Sequence, residues 1–215
     1  MIKEFTYKVI DNFLHKDDFD VVCSIKEKEN LLKTQRITDH NIIDKNGNVT
    51  SRPGAGWLGA KFIKKLYNNY NDRAIQLLNE LAPEKVKLID YTFIENVQVG
   101  SHHVRRIHRN GEKVLLGIVI YIKPKISKGT FIYNYTVNDN AGKLPTEFDK
   151  KNSIEIEWKP NRAFVFSRSK ISLHSFEGNK ENTRFTLYYG FQRKMAEDPA
   201  SRGFRQIMPD SIEEL

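Results

Sequence analysis

Two histidines and an arginine are the residues of this chain whose types and spacing could do chemistry. His108 closes "RRIH" just ahead of the apolar run "KVLLGIVIYIKP", His174 lies in "SKISLHSFEGN", and Arg184 follows ten positions later. Imidazoles at the ends of two strands could meet across the mouth of a barrel and offer neutral nitrogen lone pairs to a divalent transition metal. Spacing alone leaves the bland alternative open, a histidine that closes a turn. His15 and His40 stand in polar surroundings and read as surface residues, while His102 and His103 precede a basic stretch.

The elements that must position these groups change character along the chain. "FTYKVIDNFL" alternates as an edge strand does. An acidic first turn then leads Phe19, Val22, Cys23 and Ile25 in helical rhythm, which predicts a helix over 16–32. Residues 38–56 are dense in Asn, Asp, Gly and Pro and read as a loop or short hairpin. A second helix is predicted over 61–81, with Phe62, Leu66, Tyr70, Ala74, Leu77, Leu78 and Leu81 on one face and Pro83 ending it. From residue 86 the texture is of strands separated by Gly, Asn, Pro or Lys, which favours a sandwich or barrel over βαβ units. The organisation expected is one domain: 1–85 packed on the barrel, 86–193 as its core, and 194–215 as a polar tail.

With 215 residues, 39% hydrophobic and 29% charged, the chain has the composition of an ordinary globular protein. No apolar stretch approaches the roughly 20 residues of a membrane span, and charged Lys3, Glu4 and Lys8 interrupt any signal sequence. A single cysteine, Cys23, excludes an internal disulfide and suits a reducing cytosol, so a cytoplasmic location is expected. The net charge of +8 is spread among acids, as in "KEKENLLKTQR", and describes a solvated basic surface more than a nucleic-acid-binding tail. "RPGAGWLG" offers a glycine-rich loop with Trp57 that could cover a pocket. It lacks the ending and the preceding strand of a phosphate cradle.

The ordered set of features from residue 5 to 193 resembles the iron(II)- and 2-oxoglutarate-dependent dioxygenases, nearest their prolyl-4-hydroxylase-like branch and small phage-type members. The set comprises the opening "YKVIDNFLHKDDFDVV", His108, the strand ending at Tyr121 and Ile122, Gly129 and Thr130, "PNRAFVFS", His174 and Arg184. The resemblance implies a mainly β fold with flanking helices, the double-stranded β-helix or cupin-like jelly roll. It also implies Fe(II) and 2-oxoglutarate as cofactors, with His108, His174 and the position of Asn110 as metal ligands. Arg184 would then hold the far carboxylate of 2-oxoglutarate through two parallel hydrogen bonds, with the Thr186 hydroxyl added from the same strand face; the bland alternative is an Arg-x-Thr pair on an outward strand edge. The demethylase branch pairs this arginine with a second one six residues later, where this chain has Gly190.

Asn110 is the departure from that pattern, because the family carries a carboxylate there and a neutral amide is a poorer ligand for a divalent cation. Three readings stay open: Glu112 or His103 supplies the third ligand, the metal is held by two histidines with Asn110 and water, or catalysis is lost and the shell kept. The expectation is an oxygenase of hydroxylase type acting on a small molecule, sugar or peptidyl side chain. The alternative is a non-catalytic jelly-roll module that binds a ligand in the same cavity. Fold resemblance alone does not choose the substrate.

Overall fold

The computed structural model describes residues 6–27, 31–51, 57–133, 153–169, 171–178 and 181–194. Its framework is two facing antiparallel sheets. The strands are β1 (Tyr7–Ile10), β2 (Arg36–Ile43), β3 (Val49–Ser51), β4 (Tyr91–Val99), β5 (Val104–His108) and β6 (Val114–Lys123). They continue with β7 (Thr130–Tyr133), β8 (Ser153–Ile156), β9 (Ala163–Ser167), β10 (His174–Glu177) and β11 (Arg184–Gln192). The large sheet runs β1-β9-β6-β11-β4-β2-β3 and the small one β5-β10-β7-β8. This is the jelly roll that the sequence led one to expect.

The large sheet is buried on both sides, which is why β6 reads "VLLGIVIYIK" without strict alternation. One side, with Ile94, Ile118, Ile120, Val165, Leu187 and Phe191, packs on the helices. Helix α2 (Ala60–Leu81) presents Ile63, Leu66, Tyr70, Ala74, Leu77 and Leu78 to that side. Such spacing by threes and fours makes a single apolar stripe. The opposite side closes one end of the barrel with Tyr121, Phe164 and Phe166, against Ile132 of β7, Ile156 of β8 and Trp158.

Three boundaries differ from the sequence reading. Helix α1 covers Lys16–Ser24 only, and Ile25 is already extended (φ −58, ψ 125). The following "KEKEN" offers no apolar stripe to dock, so nothing in the packing extends the helix. The predicted strand from residue 86 begins at Tyr91, because Pro83–Leu88 forms a 3-10 turn after α2. The stretch read as loop or hairpin begins inside β2, a strand of eight residues paired along its length with β4, and continues into the hairpin to β3. Its composition misleads because Arg36, Thr38 and His40 alternate toward a polar cavity instead of an apolar core. The proposed cover "RPGAG" and most of the predicted tail, residues 195–215, lie outside the described residues.

Candidate active site

His108 ends β5 and His174 begins β10, and the antiparallel register sets them directly opposite each other. Their ring centroids are 4.3 Å apart. Each Nδ1 donates to a backbone carbonyl two residues back, His108 to Arg106 at 2.9 Å and His174 to Ser172 at 3.0 Å. This fixes both tautomers and leaves each Nε2 with its lone pair, the arrangement in which imidazole ligates metal. Burial holds both rings neutral. It pushes His174 down to about 4 and, together with the neighbouring His174, keeps His108 well below the usual imidazole range.

Asn110 lines the same cavity as the two histidines. Its Nδ2 donates to the Tyr188 hydroxyl at 2.5 Å, and its backbone carbonyl accepts from Arg168 Nε at 3.2 Å. Burial pushes the Tyr188 phenol above its usual range, so it stays protonated at neutral pH. The two other residues considered as third ligand lie elsewhere. Glu112 is exposed beside Arg168, and its place in the sequence next to the site does not bring it into the cavity. His103 donates from Nδ1 to the Thr34 carbonyl and stacks against Phe176, away from the cavity lining. Among the described residues there is no cluster of three or more His, Cys, Asp and Glu side chains that could hold a metal. His108, His174 and Asn110 lie together on the lining of this cavity.

Arg184 opens β11 and is 2% exposed. Its guanidinium lies over Phe176, Trp158 and Tyr121, at 4.5, 5.0 and 5.7 Å from the ring centroids. Among the described residues its one hydrogen bond is a long one, from Nη2 to Thr130 Oγ1 at 3.4 Å. Its Nε and Nη1 are buried and have no hydrogen-bond partner among the described residues. Burial pushes its pKa down to about 10, which still leaves it charged at neutral pH. A buried cation without a counter-ion is costly, and the aromatic faces compensate only a part of that cost. Thr186 follows on the same strand face and lines the same cavity.

The cavity holding His108, Asn110, His174, Arg184 and Thr186 has a volume of about 200 Å³. A second chamber of about 450 Å³ shares Arg36, Asn110, Gly111 and Tyr188 with it. Several of its residues escaped the sequence reading. His40, read as a surface residue, is 7% exposed and pairs through Nδ1 with Glu95 on the neighbouring strand. The register then runs from Glu95 to Tyr188, so His40, Glu95 and Tyr188 form one row across β2, β4 and β11. The alternation of polar residues in "RITDH" and "ENVQV" was the available signal, but it identifies a polar face without saying that the face is enclosed.

No protein-family model matches the sequence, and no curated protein does. Solved structures do. The fold is similar to a prolyl-4-hydroxylase of Pseudomonas putida, with a TM-score of 0.53 and 11% identity over 88% of this chain and 94% of that one. It is also similar to the viral collagen prolyl hydroxylase of Paramecium Bursaria Chlorella virus-1, solved as its 2OG complex. There the TM-score is 0.52 and the identity 14%, over 87% of this chain and 96% of that one. JOX2, solved with 2OG, Fe and JA, gives 0.57 and 9% over 90% of this chain and 69% of its own. The fold is thus the double-stranded β-helix of the iron- and 2-oxoglutarate-dependent oxygenases.

Proposed function

We propose that this protein is an Fe(II)- and 2-oxoglutarate-dependent oxygenase of hydroxylase type, with an amide in place of the usual carboxylate ligand. The observation that carries this reading is Arg184, a buried guanidinium whose Nε and Nη1 have no partner among the described residues, in one cavity with two opposed, neutral histidines. A dicarboxylic acid suits both ends. One carboxylate would replace the missing partner of Arg184, with Thr130 and Thr186 as neighbouring hydroxyls. The keto acid end would reach toward His108 and His174. When bound, the iron would supply activation of dioxygen for oxidation of a substrate C–H bond.

The residues of the chain have separate tasks in this reading. His108 and His174 offer Nε2, held in the right tautomer by the carbonyls of Arg106 and Ser172. Tyr188 fixes the Asn110 amide by accepting from its Nδ2, which leaves the amide oxygen as the donor atom for a cation. Val97, Val99, Val119 and Phe176 keep the surroundings apolar and strengthen every charge interaction among them.

The second reading is a jelly-roll module that binds an anion at Arg184 without catalysis, and Asn110 is the observation that favours it. Anaerobic titration of the protein with Fe(II) and 2-oxoglutarate separates the two. The oxygenase reading expects the weak visible charge-transfer band of the chelate, followed by succinate on admission of oxygen. Binding of 2-oxoglutarate with no band at saturation would leave the non-catalytic module.

A further inference from the structure

The charge of the cavity is one-sided. Four arginines line the inner chamber, Arg36, Arg105, Arg109 and Arg184, and among the described residues no carboxylate does. The larger chamber adds Lys113, while its one acid, Glu95, is already paired with His40. Arg36 and Arg184 both stand opposite Val99, on the two strands flanking β4. Strand spacing puts their backbones about 10 Å apart in one row. Neither Arg36 nor Arg109 forms an ion pair among the described residues. Cations lining one low-dielectric cleft repel each other and focus a field that draws in anions. A ligand at Arg184 answers only the innermost of them.

We infer that the substrate is a small polar molecule bearing an oxyanion, a carboxylate or phosphate, which Arg36 and Arg109 grip at the mouth. Its body lies in the larger chamber beside Thr38, His40 and Tyr188. The chamber's volume of about 450 Å³ suits a compact molecule. The polar lining suits hydroxyl or amide groups more than a hydrocarbon. Guanidinium is the side chain suited to bidentate capture of either oxyanion. The inference rests on the oxygenase reading, which makes the ligand a substrate and places 2-oxoglutarate at Arg184.

The test is calorimetric titration of the protein, saturated with 2-oxoglutarate, using glycerol 3-phosphate, glycerate and glycerol as probes. At least one of the two anions is expected to bind and glycerol not, the stronger anion telling phosphate from carboxylate. Arg36→Gln with Arg109→Gln should weaken that binding by about tenfold or more, with 2-oxoglutarate affinity changed by less than about threefold. The inference is overturned if neither anion binds at about 10 mM, a concentration that reveals even weak sites. It is equally overturned if glycerol binds as well, or if the double variant binds like the parent. Tighter binding of a single-stranded oligonucleotide through the same arginines would overturn it in favour of a polymer. Should 2-oxoglutarate itself not bind, the oxygenase reading fails separately. The same titrations in Arg184→Gln protein then decide the mouth site alone.

Discussion

The Asn110 amide is tied to the hydroxyl of Tyr188, 78 positions later, by a 2.5 Å hydrogen bond. The pair crosses from the loop after β5 to the middle of β11, where Tyr188 stands in register with Glu95 and Val119. The loop after β5 is thereby fastened to the large sheet.

Replacing the amide with a carboxylate should preserve that tie while adding charge. In Asn110→Asp the Tyr188 hydroxyl turns from acceptor to donor, and a negative ligand joins two neutral imidazoles. Affinity for a divalent cation is expected to rise by about ten- to a hundredfold, the scale on which single changes around a metal act. Electron paramagnetic resonance of Mn(II) titrations measures it directly. Unchanged affinity would mean that position 110 does not face the cation.

Gly117 controls the same tyrosine from below. A Cβ there would lie 2.7 Å from the Tyr188 hydroxyl and 3.0 Å from a Phe166 ring carbon. Gly117→Ala should therefore displace Tyr188, costing ~1–3 kcal/mol of stability as overpacking does. Removing the hydroxyl as well, in Gly117→Ala with Tyr188→Phe, should restore part of that loss. Urea denaturation of the two variants checks this, and equal stabilities would dismiss the clash.

The site was legible in sequence where side-chain chemistry and order along the chain suffice. His108, Asn110, His174, Arg184 and Thr186, which the resemblance singled out, line one cavity. The mouth was not legible. Arg36, Arg105 and Arg109 look like any dispersed basic residues until register places them around one opening. His40 looks solvated because its neighbours are polar, and only the pairing of β2 with β4 shows that those neighbours face inward. The fold was legible in the long strands β4, β6 and β11 and in α2, whose apolar spacing is long and regular, while β2, β5 and β10 were not read as strands. The end of α1 was not, since helical rhythm weakens there without any proline or glycine to stop it.

Asp18, in the first turn of α1, should make stability depend on acid pH. It is 1% exposed and meets Lys65 Nζ at 2.6 Å, the Tyr70 hydroxyl at 2.8 Å and Asn69 Nδ2 at 3.0 Å. Burial alone would raise its carboxyl, but these three partners outweigh it and hold the group below its usual range. A carboxyl lowered by folding adds stability that is complete above its unfolded value near 4 and is lost as pH falls through the folded one. Asp18→Asn should cost ~1–3 kcal/mol at pH 7, with the gap closing as the medium is acidified below pH ~4. Denaturation of both proteins across that range tests it, and a gap independent of pH would rule out the ionised partner.

Arg184→Met separates binding from folding most sharply. Methionine keeps much of the length and apolar contact of the arginine stem, so the aromatic surroundings of Phe176, Trp158 and Tyr121 stay filled. Among the described residues the lost guanidinium has one long hydrogen bond and no ion pair, so removing it takes away a desolvation cost more than a bond. Thermal stability without ligand is expected to hold or rise. The affinity for 2-oxoglutarate should instead fall by ~2–5 kcal/mol, the cost of leaving a buried carboxylate without its charged partner. Thermal scans with and without 2-oxoglutarate read both effects at once. The parent should gain stability from the ligand by mass action and the variant should not. A variant that is much less stable and still stabilised by 2-oxoglutarate would make Arg184 a structural cation, and the ligand would bind elsewhere.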